Sequence, residues 1–146
     1  MPSKQFCTFK LDGIFFGIDI LQVQEIIRRL PFTRIPLAPT LIEGLVNLRG
    51  QIVTAIDMRL RIGLPPRPAG KQPTHVVVRT EDGAASLLVD EIGDMMELSD
   101  DVHEAPPDTV QGPARELISG VYKLENDLLL VLDTAKTVDL DLKAFT

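Results

Sequence analysis

The sequence has no tryptophan, only one cysteine and only 5% aromatic residues among its 146 positions. Because Cys7 has no second cysteine to pair with, a secreted scaffold held by internal disulfides is excluded. Long apolar runs are also missing, since the longest is Leu128–Leu132 and a bilayer span needs about 20 residues. Residues 1–5 lack the apolar stretch of a signal peptide. We therefore expect a cytoplasmic protein with no direct membrane insertion.

Basic residues are absent between Thr80 and Ala114, a stretch that holds ten acidic side chains. Residues 1–79 carry 11 basic and 5 acidic side chains, a net charge of +6, whereas residues 80–146 carry 4 and 16, a net charge of -12. The total of -6 argues against a protein whose main task is to bind phosphate backbones. The split predicts an electrically polarised molecule that meets unlike partners.

What the sequence does have is the composition of a folded globular protein, with 45% apolar and 25% charged residues. Apolar segments flank four turns and predict four β-hairpins. The turns are Asp12-Gly13, Arg49-Gly50, Asp82-Gly83 and Asn126-Asp127, and the strands are 5–11 with 14–18, 45–48 with 51–56, 75–79 with 84–89, and 118–124 with 128–132. A further short strand is expected near Met95 to Leu98.

Two helices are predicted between and after these hairpins. Asp19 can cap a helix whose apolar face repeats at intervals of three and four residues before Pro31 ends it: Ile20, Val23, Ile26, Ile27 and Leu30. Asp133 can cap a short final helix.

An internal repeat organises the chain. The segment Gly44–Asp57 aligns with Gly120–Asp133 without a gap, and the turns at Asp12 and Asp82 fall in matching places. We infer a mainly β chain in which residues 1–146 form one domain of two subdomains, 5–62 and 74–138, each a small barrel. The proline-rich stretch 64–73 reads as their linker. Whether a strand passes from one unit to the other stays open at this point.

Asp57 and Asp133 end equivalent strands, as the paired carboxylates of an aspartic-protease-like hydrolase do. Arg59, two residues after Asp57, brings a fixed positive charge that would keep both carboxylates ionised. We therefore expect the two residues to serve as helix N-caps, and the hydrolase remains an alternative.

Other chemistry finds little support. Zinc-binding spacing, phosphate-binding glycine loops and dinucleotide fingerprints are absent, and neither His75 nor His103 adjoins a nucleophile motif, so no metal, cofactor or catalytic residue is predicted. Cys7 is expected to be a small core residue. A nucleic-acid-binding barrel is a further alternative, but most phenylalanines lie among apolar neighbours of the first hairpin and are expected in the core: Phe6, Phe9, Phe15 and Phe16.

The remaining features suit protein partners. Glu25 lies on the polar face of the predicted helix, and Arg49 lies at a hairpin tip, where loops commonly carry function.

At these residues the chain resembles the CheW family of chemotaxis coupling proteins. The most specific match is Gly44-Leu-Val-Asn-Leu-Arg-Gly-Gln-Ile-Val53, which leads to Asp57-Met-Arg59. The resemblance also covers Phe9-Lys-Leu-Asp-Gly13, Val23-Gln-Glu-Ile26 and Thr33-Arg-Ile-Pro36, with weaker matches to Asp133.

The resemblance implies two five-stranded SH3-like barrels and a non-catalytic adaptor. Such an adaptor joins the regulatory domain of a CheA-type histidine kinase to the cytoplasmic tips of methyl-accepting chemoreceptors, and so reaches membrane-bound arrays through its partners. It also implies the residues of each contact. Val23, Glu25 and Ile26 are expected on the kinase side, and Gly44, Asn47 and Arg49 on the receptor side.

Overall fold

The computed structural model describes residues 3–36, 41–81, 83–99, 103–104 and 112–139. Within them the chain is mainly β, as predicted. The strands are β1 Ser3–Leu11, β2 Ile14–Asp19, β3 Val23–Ile27, β4 Ile42–Leu48, β5 Gln51–Asp57, β6 Thr74–Thr80, β7 Gly83–Val89, β8 Glu91–Ser99, β9 His103–Glu104, β10 Ile118–Lys123 and β11 Leu128–Leu132. The helices are α1 Met58–Ile62, α2 Pro113–Leu117 and α3 Thr134–Val138, with a 3-10 turn at Ile20–Gln22.

All four predicted hairpins form. Asp12 and Gly13 have φ angles of 51° and 79°, and Arg49 and Gly50 have 51° and 89°, as type I′ turns require. In the third hairpin Thr80 pairs with Gly83, so Gly83 belongs to β7 and not to the turn in which it was predicted. Asp82 and most of the acidic stretch 100–111 lie outside the described residues.

The predicted helix from Asp19 to Leu30 is wrong. Asp19 does cap a turn, since its carboxylate accepts from the amide of Leu21, but that turn is three residues long and β3 follows it. A β-bulge between Val23 and Glu25 interrupts the two-residue alternation of β3. Because of this bulge, the apolar residues of the segment repeat at intervals of three and four, which is the spacing typical of a helix.

The strands form two sheets that share both halves of the chain. Sheet one has the order β8-β1-β2-β11-β10-β9, and sheet two has the order β3-β6-β7-β5-β4. The chain passes from sheet one to sheet two between β2 and β3, and it returns between β7 and β8. The ranges 5–62 and 74–138 therefore each contribute strands to both sheets, and their division into subdomains stays a prediction.

Four hydrophobic clusters of described residues stabilise this arrangement. The largest joins the two sheets and contains Phe9 and Phe16 from sheet one with Val76 and Leu87 from sheet two. A second cluster lies within sheet one around Phe6, and two smaller ones lie within sheet two. Cys7 is 1% exposed, as expected of a core residue.

The predicted repeat extends to details of backbone geometry. Both β4 and β10 shift register just before Gly44 and Gly120, which are 76 positions apart. The amide of Asp57 donates to the carbonyl of Leu41, and the amide of Asp133 donates to that of Leu117, at 2.7 and 2.8 Å. Equivalent sequence segments therefore build equivalent structures in the two sheets.

The segment 64–73 is docked on the molecule rather than extended into solvent. Leu64 packs against the largest cluster, Pro73 is buried, and Nη1 of Arg59 donates to the carbonyls of Pro65 and Pro66 at 3.3 Å. We call residues 64–73 the connector. None of the helices in the described part of the chain is long and apolar enough to cross a membrane.

Candidate functional site

Two of the predicted contact residues meet in a bidentate ion pair. Nη1 of Arg49 lies 2.5 Å from Oε2 of Glu25, and Nη2 lies 2.8 Å from Oε1. The Arg49 side chain is 75% exposed and that of Glu25 only 21%, so the pair lies at the surface and rests on one side against the protein. The hydrogen bonds that Arg49 donates to Glu25, together with the negative charge of Glu25, raise the pKa of Arg49 above its ordinary value.

The β4–β5 turn fixes the start of the Arg49 side chain. The left-handed backbone of Arg49 and Gly50 closes the turn, and the side chain of Asn47 accepts a hydrogen bond from the amide of Gly50 at 2.9 Å. Asn47 is therefore a structural support of the turn in the free chain. Leu48, next to it, is buried and anchors the hairpin in sheet two.

Gly44 is required for a close approach between two segments. The amide and carbonyl of Thr33 pair with those of Leu45 at 2.8 and 2.7 Å. A Cβ atom on Gly44 would lie 2.4 Å from the carbonyl oxygen of Thr33. Gly44 is therefore needed for a steric reason, because any side chain there would collide with the segment at Thr33.

The remaining predicted contact residues lie on β3. Val23 packs against the largest cluster, while Ile26 is 39% exposed. Ile52, which sequence reasoning did not single out, is 62% exposed and faces Asn47 across the β4–β5 ladder. An apolar residue at a predicted solvent position of an alternating strand is the signal that could have found it.

The structure therefore brings the predicted kinase and receptor residues together rather than onto separate faces. Glu25 belongs to one set and Arg49 to the other, and their ion pair joins the edge strand β3 to the tip of the β4–β5 hairpin. We call Glu25, Ile26, Asn47, Arg49 and Ile52 the rim of sheet two.

Asp57 and Asp133 act as helix N-caps, as expected. Oδ1 of Asp57 accepts from the amide of Leu60 at 3.3 Å, and Oδ1 of Asp133 accepts from that of Lys136 at 3.0 Å. The two carboxylates cap different helices, and no hydrogen bond between them is recorded in the described residues. The geometry of a carboxylate pair that shares one proton is therefore not present.

A serine–histidine contact that sequence reasoning missed lies in the core. Nδ1 of His75 is 2.9 Å from Oγ of Ser86, and the two residues are 1% and 0% exposed. Burial lowers the pKa of His75, although a hydrogen bond to the backbone of Leu30 opposes this effect. Because no substrate reaches either group, the contact links β6, β7 and the segment after β3.

Other candidate chemistry is structural as well. Burial raises the pKa of the Cys7 thiol, which makes it less reactive. Phe6, Phe9 and Phe16 are 2% exposed or less, so they pack the core instead of stacking on bases. Among the described residues, no group of three or more His, Cys, Asp or Glu side chains could hold a metal ion.

Comparisons with known proteins agree with this picture. The CheW-like domain model matches residues 5–141. Chemotaxis protein CheW of Treponema pallidum (strain Nichols) is 31% identical over 136 residues, which cover 90% of this chain and 80% of that protein. Chemotaxis protein CheW of Bacillus subtilis (strain 168) is 28% identical over 94% of this chain and 88% of its own length.

A solved structure supports the fold. The crystal structure of scaffolding protein TtCheW from Thermoanaerobacter tengcongensis matches with a TM-score of 0.85 and 28% identity, and it covers 97% of this chain and 95% of that one. The predicted pair of five-stranded SH3-like barrels with short helices is confirmed, with the two-residue strand β9 added to sheet one. From the family match over 5–141 and the agreement of the fold, the chain belongs to the family of proteins with a CheW-like domain.

Proposed function

We propose that this chain is a non-catalytic adaptor that couples the cytoplasmic tips of chemoreceptors to a CheA-type histidine kinase in a chemosensory array. The observation that carries the proposal is the ion pair between Glu25 and Arg49. It lies where the kinase and receptor residues implied by the family meet.

The rim suits contact with proteins. Ile52, which pairs with Asn47 in the β4–β5 ladder, and Ile26, next to Glu25 in β3, offer exposed apolar side chains. Protein–protein interfaces usually combine apolar side chains with polar and charged groups. The charges then orient the partners and set the rate of encounter more than the affinity.

The rim is also held firmly enough to transmit a change of state. The type I′ turn, the hydrogen bond from Gly50 to Asn47 and the contact of Gly44 with Thr33 fix the β4–β5 hairpin on sheet two. A receptor that displaces Arg49 would change the environment of Glu25 directly. In this proposal the adaptor lies in the cytoplasm and reaches the membrane only through its partners.

Nothing in the rim supplies a nucleophile with a base. The serine–histidine contact is buried, and the two aspartates at strand ends are engaged as caps. These positions support an adaptor over a hydrolase.

Co-purification tests the proposal most directly. The tagged chain should retain a CheA-type kinase from the same cells, and the regulatory domain of that kinase alone should suffice for binding. A receptor cytoplasmic fragment should raise kinase activity only when the chain is present. If the chain binds neither the regulatory domain nor the receptor fragment at micromolar concentration, the proposal is wrong.

A further inference from the structure

The helices α1 and α3 follow equivalent strands of the two repeats, but their C-terminal ends are capped in different ways. At the repeat interval of 76 positions, Gly63 after α1 corresponds to Asp139 after α3. Gly63 has a left-handed backbone with a φ angle of 95°, and its amide donates to the carbonyls of Arg59 and Leu60 at 3.1 and 3.2 Å. Asp139 has a φ angle of -81°, and its amide donates to the carbonyl of Lys136 at 3.3 Å. The helix α3 therefore lacks the glycine cap that ends α1.

An arginine of α1 caps α3 instead. Nε of Arg61 donates to the carbonyl oxygen of Thr137 at 3.0 Å. Its Nη2 donates to the carbonyl oxygens of Lys136 and Asp139 at 2.9 and 3.3 Å. The last carbonyls of a helix have no partner within the helix, and a basic side chain can satisfy them. We call these three hydrogen bonds the clamp, because they hold the C-terminal end of α3 against the first repeat.

The N-terminal end of α3 is held by the strand that precedes it. Asp133 directly follows β11, its side chain accepts from the amide of Lys136 at 3.0 Å, and its amide donates to the carbonyl of Leu117 at 2.8 Å. The hydroxyl of Thr137 also donates to the carbonyl of Asp133, at 2.8 Å. A helix of five residues is too short to be stable by itself. Its position therefore depends on these contacts, on the packing of Val138 against the largest cluster, and on the clamp.

The helix α3 forms part of the wall of two clefts. Residues 133–135 line a cleft of about 270 Å³ on sheet one. Ala135, Val138 and Asp139 line a cleft of about 860 Å³ on sheet two. The end of α3 that is fixed by its strand therefore faces the smaller cleft, and the end that Arg61 clamps faces the larger one.

The clamp can open while the sheets stay folded. Both hydrogen bonds of Nη2 lie at the exposed surface, where water competes with the carbonyl oxygens of Lys136 and Asp139. None of the three hydrogen bonds of the clamp belongs to a β-ladder. Elements held by a few exposed hydrogen bonds open locally at a lower free energy than the core strands do.

We propose that α3 is a hinged strap that Arg61 holds shut: it turns about Asp133, and its C-terminal end leaves sheet two when the clamp opens. Opening widens the cleft on sheet two, whose wall includes Val138 and Asp139, and changes the cleft at the hinge less. It also exposes Thr137, which is 0% exposed in the closed strap. The strap is a property of the free chain and does not depend on the proposed adaptor function.

A thiol placed under the strap tests the proposal in the full chain. Thr137→Cys introduces this thiol, and Cys7, which is 1% exposed in sheet one, reports opening of the whole fold. Peptide mass spectrometry measures how fast a thiol reagent modifies each site. Adding Arg61→Met should raise the rate at position 137 at least tenfold and change the rate at Cys7 less than twofold. The matched control Arg29→Met removes an arginine from an exposed position after β3 and should change neither rate.

The outcomes separate local opening from unfolding. Equal rates at position 137 with and without Arg61→Met would overturn the proposal, and so would a parallel rise at Cys7, because α3 would then open only with the whole fold. Hydrogen exchange in the chain without Thr137→Cys is the second measurement, since that substitution removes a hydroxyl that donates to Asp133. Arg61→Met should accelerate exchange of the α3 amides but not of the β5 and β11 amides. Exchange that is unchanged in α3, or that rises equally in the strands, contradicts the proposal.

Discussion

Arg49 lies at the tip of a hairpin, mostly in solvent, and it contacts one carboxylate. Arg49→Ala should leave the urea midpoint unchanged, because an exposed charge at a tip contributes little to stability. The same change should weaken retention of a receptor fragment and lower kinase activation. The urea midpoint, receptor pulldown and a phosphorylation assay measure these effects. Full receptor coupling in the variant would remove Arg49 from the contact.

Glu25 is the better-packed partner of the ion pair. Glu25→Lys should impair kinase binding in calorimetry, because it places a like charge against Arg49. The double variant with Glu25→Arg and Arg49→Glu keeps an ion pair with its charges exchanged. If the pair only positions β3 against the hairpin, the double variant recovers binding; if either side chain contacts a partner, binding stays impaired. Wild-type affinity of Glu25→Lys would contradict the assignment.

His75 gives the fold a dependence on pH. Its folded pKa is lowered, so below the unfolded value of about 6.5 the unfolded chain binds a proton that the folded chain does not. The free energy of unfolding should therefore fall as the pH decreases from about 7 to about 5.5, by at most about 1.4 kcal/mol per pH unit. Urea titrations at several pH values should show that the free energy of unfolding changes less with pH in His75→Gln than in wild type.

Ser86→Ala is the matched control for this pH dependence. It removes the hydroxyl that contacts Nδ1 but keeps the imidazole that titrates. Its stability should be lower at every pH, whereas its dependence on pH should persist. If the free energy of unfolding changes equally with pH in wild type and His75→Gln, His75 is not the source of the pH dependence.

At the level of single elements, β4 packs closely on the segment before it at Gly44. Gly44→Ala should cost about 2 kcal/mol of unfolding free energy, because the added methyl meets a backbone oxygen that is itself hydrogen-bonded. Gly17→Ala is the control, since the atoms nearest to its methyl would be those of the Leu129 side chain, the first at 3.2 Å. A larger loss for Gly17→Ala than for Gly44→Ala would contradict this account.

The elements that could be predicted are those set by local chemistry. The Asp12-Gly13 and Arg49-Gly50 turns and the caps at Asp57 and Asp133 depend on neighbouring residues only, and the structure has all four. The strand β3 could not be predicted because its bulge hides the alternation, although Val23, Ile26 and Ile27 are β-branched residues that favour strands. The 75% exposure of Arg49 and its contact with Glu25 depend on closure of sheet two, which no local pattern contains.

At the scale of the whole molecule, the two sheets differ in charge, although each half of the chain contributes strands to both sheets. Among described residues, segments 3–22, 90–99, 103–104 and 112–139, which build sheet one, carry 5 basic and 12 acidic side chains. Segments 23–36, 41–81 and 83–89, which build sheet two, carry 9 and 4. The described residues of the two sheets therefore have opposite net charge. The sequence predicted opposite charge for the two halves of the chain, but not for the two sheets.

This polarity should act on association rates. Replacing Asp94, Glu97 and Glu125 by their amides should change the rate at which one partner binds and reduce its dependence on salt, with little change in dissociation. Stopped-flow mixing at several salt concentrations measures both rates. Arg28→Gln with Arg29→Gln on sheet two is the comparison, since it should affect the opposite partner. If the association rates and their salt dependence are unchanged in both variants, the charge polarity does not guide association and serves only solubility.

Because both repeats contribute strands to both sheets, cleavage of the chain between the repeats should not separate them. Each sheet takes β-hairpins from both repeats, and the largest hydrophobic cluster lies between the sheets. A protease that opened the connector, whose Lys71 is exposed, would break one covalent bond but leave every strand pairing in place. The two fragments would remain interlocked and migrate as one particle until a denaturant released them.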